Sequence, residues 1–81
     1  MLQAQIISPE GYLFNDKATM IVLPTKSGEI GIMADHEKII TELQPGFIKI
    51  YLNKSNIDKK IEIKSGFAKV EDNNLIVTIL K

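Results

Sequence analysis

The sequence predicts an all-β domain, an antiparallel β-sandwich or flattened barrel built from about ten short strands. Three observations carry that reading. Apolar and polar residues alternate at period two in several segments, among them Leu2, Ala4, Ile6 and Ile61, Ile63. Turn-forming residues recur between those segments, and no amphipathic helix of normal length interrupts them. At 81 residues, 44% hydrophobic, the chain holds one domain over residues 1–81 with one core.

The first strand is carried by Leu2, Ala4 and Ile6 against Gln3 and Gln5, and Ser8-Pro9-Glu10-Gly11 stops it. A short strand at Tyr12 to Phe14 follows, with Asn15-Asp16 as the next turn signal. Ala18 to Leu23 is β-branched and apolar, Pro24 ends it, and Thr25-Lys26-Ser27-Gly28 forms a polar loop. Glu29 to Met33 resumes as a strand, with Gly31 marking a bulge or a close approach. Asp35 to Leu43 fits one turn of helix or an irregular loop with a brief strand, and the loop is preferred. Gln44-Pro45-Gly46 is a turn, after which Ile48, Ile50 and Leu52 give one core face. Asn53-Lys54-Ser55-Asn56 reads as a hairpin loop leading to the strand of Ile61 and Ile63. Ser65-Gly66 is a break, and Phe67 to Val70 and Leu75 to Leu80 flank the Asp72-Asn73-Asn74 turn.

Composition removes several classes of function. There is no cysteine, hence no disulfide, thiolate metal site or cysteine nucleophile, and the fold stands on packing alone. Ten basic and ten acidic residues give zero net charge, which argues against a nucleic-acid partner. Every basic residue is lysine, so no guanidinium fork or arginine finger is available. The start MLQAQIISPEG lacks the pattern of a signal peptide, and no apolar stretch of membrane-spanning length follows, so the reading is a soluble protein made where it works.

The stretch from Leu23 to Gly46 concentrates what chemistry the chain offers. Glu29, Asp35, His36 and Glu37 are residue types for general base or metal work, yet no oriented nucleophile or converging ligand set is visible. A hydrogen-bonding histidine at a loop or interface is the better account of His36. Gly28-Glu29-Ile30-Gly31 lacks the third glycine, the helix and the lysine context of a phosphate loop. No catalytic residue, cofactor or metal is therefore assigned. Phe47 and Tyr51 fall on the nominally outer face, either as the second side of a sandwich or as a partner patch.

Taken together, these motifs resemble the N-terminal β-sandwich domain of the epsilon subunit of F-type ATP synthase, the counterpart of the mitochondrial delta subunit. The matching pieces are Ser8-Pro9-Glu10-Gly11 with Phe14, Leu23-Pro24, Ser27-Gly28-Glu29-Ile30-Gly31-Ile32, His36, and Gln44-Pro45-Gly46 with Ile48. Ser65-Gly66-Phe67-Ala68-Lys69-Val70 and Asn74 to Leu80 complete the match in the right order.

The resemblance implies a sandwich of two five-stranded sheets in the central stalk of a proton-translocating enzyme, with no catalytic site. It implies packing on the gamma subunit and on the polar loops of the c-ring, to couple proton flow to ATP synthesis. By motif position, Glu29, Gly31 and His36 are expected at the sandwich end facing the c-ring, with Ile30, Ile32 and Met33 among the contacts. Ser8 and Thr41 are expected near gamma.

Thr25 stands where many relatives have glycine, and Ala34 and Lys38 where prolines are frequent. The 81 residues stop before the C-terminal helical hairpin usual in the family, whether as a naturally short member or as a piece of a longer chain, so hairpin-based inhibition or ATP binding is not expected of them. Lysine-only basicity and abundant Ile and Asn suggest AT-rich coding, and a peripheral place on the cytoplasmic face of a bacterial inner membrane is preferred over a plastid-encoded thylakoid origin. The rival readings are a free-standing β-sandwich adaptor or ligand-binding module, and, ranked below it, a small hydrolase or metal-dependent enzyme using His36 with Glu29 and Asp35.

Overall fold

A computed structural model describes residues 1–53 and 56–81. It contains nine strands among the described residues: β1 Leu2–Ser8, β2 Gly11–Ala18, β3 Met20–Thr25, β4 Gly28–Met33, β5 Ile39–Leu43, β6 Gly46–Tyr51, β7 Lys59–Ile63, β8 Ser65–Glu71 and β9 Asn74–Leu80. They form one curled sheet in the order β2-β1-β9-β8-β5-β3-β6-β7, with β4 on the free side of β3. A single residue pairing, Thr25 with Leu43, joins β5 to β3. The sheet therefore works as two halves, β2-β1-β9-β8-β5 and β4-β3-β6-β7, folded over each other at that corner.

Period-two alternation decides which side chains enter the space between the halves. From one half come Leu2, Ala4, Ile6, Ala18, Leu43, Ala68, Val70, Leu75, Val77 and Ile79, and from the other Ile21, Leu23, Ile32, Ile48, Ile50, Ile61 and Ile63. The buried core is wholly aliphatic, with Leu13, Phe14, Ile30 and Ile39 packed against its margin. β-branched residues suit this layer because they fill a pleated surface while losing little side-chain freedom.

The all-β sandwich expected from the sequence is present, with local differences. β1 and β9 pair in parallel, Gln3 beside Asn74 through Ile7 beside Thr78. Short turns enforce antiparallel neighbours only between consecutive strands, whereas this pair closes the sheet from the two ends of the chain. Nine described strands replace the ten implied by resemblance, and the second half has four.

Asn15-Asp16 is not a turn. Both residues lie inside β2, pairing with Gln5 and Ala4 of β1, and a register shift near Leu13 absorbs the irregularity. Asp35 to Leu43 resolves as a loop followed by β5. Part of the predicted Asn53–Asn56 hairpin, Lys54 and Ser55, lies outside the described residues.

Ser65-Gly66 is likewise no break, since both residues pair across β8 and β9. Gly66 sits in the strand because another backbone comes close: a Cβ there would stand 2.5 Å from the Thr78 carbonyl oxygen and 3.3 Å from Ile79 Cα. Gly31 is the milder case, where the neighbour is the flexible Met20 side chain, with Sδ at 3.1 Å.

Denaturant unfolding should rank three substitutions. Ile63→Ala should cost on the order of 2–5 kcal/mol by leaving a cavity. Gly66→Ala should cost about 1–3 kcal/mol through overpacking against backbone, and Gly31→Ala less than either, because Met20 has room to turn. A Gly66→Ala protein as stable as the parent contradicts the close approach.

Candidate interaction surfaces

Strand alternation that fills the core also fixes what the outside displays. In β4, Ile30 and Ile32 point inward while Glu29, Gly31 and Met33 point outward. Ile32 is fully buried and Ile30 half-buried, so Ile32 serves the core and its side chain is not open to another subunit. The sequence reading placed it among contact residues because adjacency in a motif does not separate the two faces of a strand.

Glu29 opens β4 beside the tight turn at Lys26-Ser27 and pairs in register with Pro24. Its carboxylate receives Lys49 Nζ at 3.0 Å, reaching across β3 from β6. Both groups keep access to solvent, so the pair is worth at most about 1 kcal/mol.

His36 lies beyond the opposite end of β4. Four residue steps of about 3.3 Å separate Glu29 from Met33 before the loop carries the chain to His36. Glu29 and His36 thus flank opposite termini of β4, where the sequence reading expected them together with Gly31 at one end of the sandwich.

The loop from Ala34 to Lys38 is tied to the β8–β9 turn. The Asp35 N–H donates to Asn73 Oδ1, and Asn73 Nδ2 donates to Asp35 Oδ1 at 3.4 Å. Lys38 pairs with Glu71 at 3.5 Å. Asp35, Asp72 and Asn73 all hold left-handed backbone, φ 66°, 52° and 63°, a conformation that Asp and Asn tolerate better than other side chains. His36 Nδ1 donates to the Glu37 carbonyl at 2.7 Å. These ties attach the His36 loop to the five-stranded half, and among the described residues no group of three or more His, Cys, Asp or Glu side chains gathers as a metal site would require.

Ser8 and Thr41 sit on the inward-turned side of β1 and β5. Ser8 is 6% exposed, and its Oγ accepts from the Glu10 N–H and donates to the Gly11 carbonyl, closing its own turn. Thr41 is half-buried and donates to the Glu42 carbonyl at 3.3 Å. Ser8 is thus closed into its own turn, whereas Thr41 keeps partial access to solvent.

What the sequence reading missed is the outer face of β5, β8 and β9. Ile40, Phe67, Ile76 and Leu80 are 43% to 70% exposed there, interleaved with Lys69 and Thr78. The signal lay in the outward positions of β8 and β9, where an ordinary solvated face would carry charge. The aromatics that were suspected behave differently. Tyr51 is half-buried in a small apolar pocket of about 160 Å3 with Met20 and Met33, and Lys60 Nζ stands 4.5 Å from the Phe47 ring centroid.

Comparison with known proteins adds a second line. Residues 1–80 match the model of the ATP synthase delta/epsilon chain β-sandwich domain. The chain is 32% identical over 76 residues to the ATP synthase epsilon chain of Campylobacter concisus, covering 94% of this chain and 58% of the relative. It is 34% identical over 79 residues to the chloroplastic ATP synthase epsilon chain of Marchantia polymorpha, covering 98% and 57%. The chain therefore spans less than two thirds of these relatives. In fold it matches a chain in the central stalk and c-ring structure of Tetrahymena thermophila mitochondrial ATP synthase, TM-score 0.84 at 19% identity, covering 99% of this chain and 63% of that one.

Replacing Asn73 by alanine should cost about 1–2 kcal/mol, because the Asp35 N–H loses its acceptor and alanine resists the left-handed backbone. Amide exchange at Asp35 should quicken in the same variant. Unchanged stability and exchange would show that the clamp does not hold the loop.

Proposed function

Because the chain belongs to the family of the ATP synthase delta/epsilon chain β-sandwich domain, we propose that it acts as a non-catalytic central-stalk subunit of a proton-translocating ATP synthase. It packs on gamma and on the c-ring polar loops and turns with the rotor. Its membrane association is indirect, through those partners, on the cytoplasmic face of a bacterial inner membrane.

The observation that carries this reading is the apolar face of Ile40, Phe67, Ile76 and Leu80 on a sheet whose core is already filled. A face of this kind with a polar rim suits a stable protein partner, where apolar residues supply area and charges set register. Gamma takes this face, together with the His36 loop that is fastened to the same half of the sheet. Glu29 and Gly31, on the outer side of the other half, meet the c-ring loop, and Lys49 holds the Glu29 carboxylate in place. The chain supplies no chemistry of its own in this role; its rigidity transmits torque.

The two contacts separate experimentally. Phe67→Glu should lose gamma on co-purification while keeping its unfolding midpoint, since the side chain is already 59% exposed. Glu29→Lys should retain gamma yet weaken coupling of ATP hydrolysis to proton pumping in membrane vesicles. Retention of gamma and full coupling in both variants would contradict the proposed role.

A further inference from the structure

Among the described residues, β7 is an outer strand of the sheet that pairs with β6 alone, and β2 is another that pairs with β1 alone. A groove of about 740 Å3 runs along β7, lined also by Pro45, Gly46 and Lys81, with Leu13 as its one residue from β2. No ladder pairing joins β2 to β7 among the described residues. A lysine side chain spans the gap instead, with Lys59 Nζ donating to the Leu13 carbonyl at 2.8 Å. Paired strands stand about 4.8 Å apart, so a seam bridged by a side chain is wider than a ladder. Alternate residues of an edge strand direct their N–H and C=O groups away from their only neighbour, and β7 offers those groups to the groove.

Charge is segregated in the same place. Lys59, Lys60, Lys64 and Lys81 line the groove, with Glu62 as its one carboxylate. Lys26, Lys38, Lys49 and Lys69 each lie within 4.0 Å of a carboxylate elsewhere. The groove lysines have no such partner among the described residues, although the chain as a whole is neutral. Alternation adds a second pattern: Lys60, Glu62 and Lys64 face outward, whereas Ile61 and Ile63 face the core side.

We propose that the β2–β7 seam is a docking site for an extended acidic segment of a partner polypeptide, which adds to β7 as a further strand. Carboxylates at alternate positions of that segment face Lys60 and Lys64. An uncharged residue faces Glu62, and apolar residues between them lie toward Ile61 and Ile63. Lysines on an edge also discourage pairing between like sheets, and that service requires no acidic partner. The two accounts differ in what they say about selectivity. A phospholipid headgroup would use the charge but leave the edge amides unpaired.

The test titrates the 81-residue chain with the capped peptide Val-Glu-Val-Thr-Val-Glu-Val, following amide shifts and hydrogen exchange by NMR. Protection should concentrate at the groove-facing amides of residues 59–63, because the Lys64 N–H already donates to the Leu80 carbonyl at 2.8 Å, and a peptide with Lys in place of Glu should not bind. Lys60→Glu with Lys64→Glu should weaken the acidic peptide by about tenfold or more and admit the lysine peptide, a reversal that an unfolded variant cannot produce. Absence of binding at millimolar peptide, equal binding of both peptides, or protection outside β7 would overturn the proposal. So would capture by anionic phospholipid vesicles without protection of the β7 amides.

Discussion

Two half-sheets that share one ladder pairing among the described residues, Thr25 with Leu43, stay closed because both turn aliphatic faces onto the same layer. One such pairing contributes on the order of 1 kcal/mol. Each Ile or Leu buried in the layer contributes about 1.5–3 kcal/mol, and the layer holds side chains from every strand. Hydrophobic burial therefore holds the halves together, and the hydrogen-bonded corner sets their angle. With no cysteine in the chain, no disulfide shares that task.

The same layer dictates the surface. A one-residue slip in any strand would exchange its inner and outer sets, so filling the core fixes register and with it the outward display. Phe67 and Ile76 face out because Ala68, Val70, Leu75 and Val77 face in. Glu29 and Gly31 face out because Ile30 and Ile32 face in. The proposed stalk contacts and the acidic-strand seam are thus three products of one alternation, arranged on different sides of the sandwich.

Local pattern made much of this readable beforehand. Leu2, Ala4 and Ile6, and likewise Ile48, Ile50, Ile61 and Ile63, declare their strands through period two, and all of them are buried. Turn residues misled where context outweighed propensity: Asn15-Asp16 pairs within β2, and Gly66 is a strand residue admitted by the nearness of Thr78. Distance between ends was not readable, since Glu29 and His36 are close in sequence and a strand holds them apart. Nor was the parallel β1–β9 closure, which no turn residue encodes. The outer apolar face escaped notice because Phe67 and Ile76 look like core residues until their neighbours are seen to fill the core.

Zero-length carboxylate-to-lysine cross-linking of the assembled complex, read by mass spectrometry, tests the stalk account most directly. Lys38 and Lys69 flank the apolar face, and Lys26 sits in the turn that leads to Glu29. The account predicts links from Lys38 or Lys69 to gamma and from Lys26 or Glu29 to the c-ring loop. An assembled complex in which neither side links to gamma or the c-ring would contradict it.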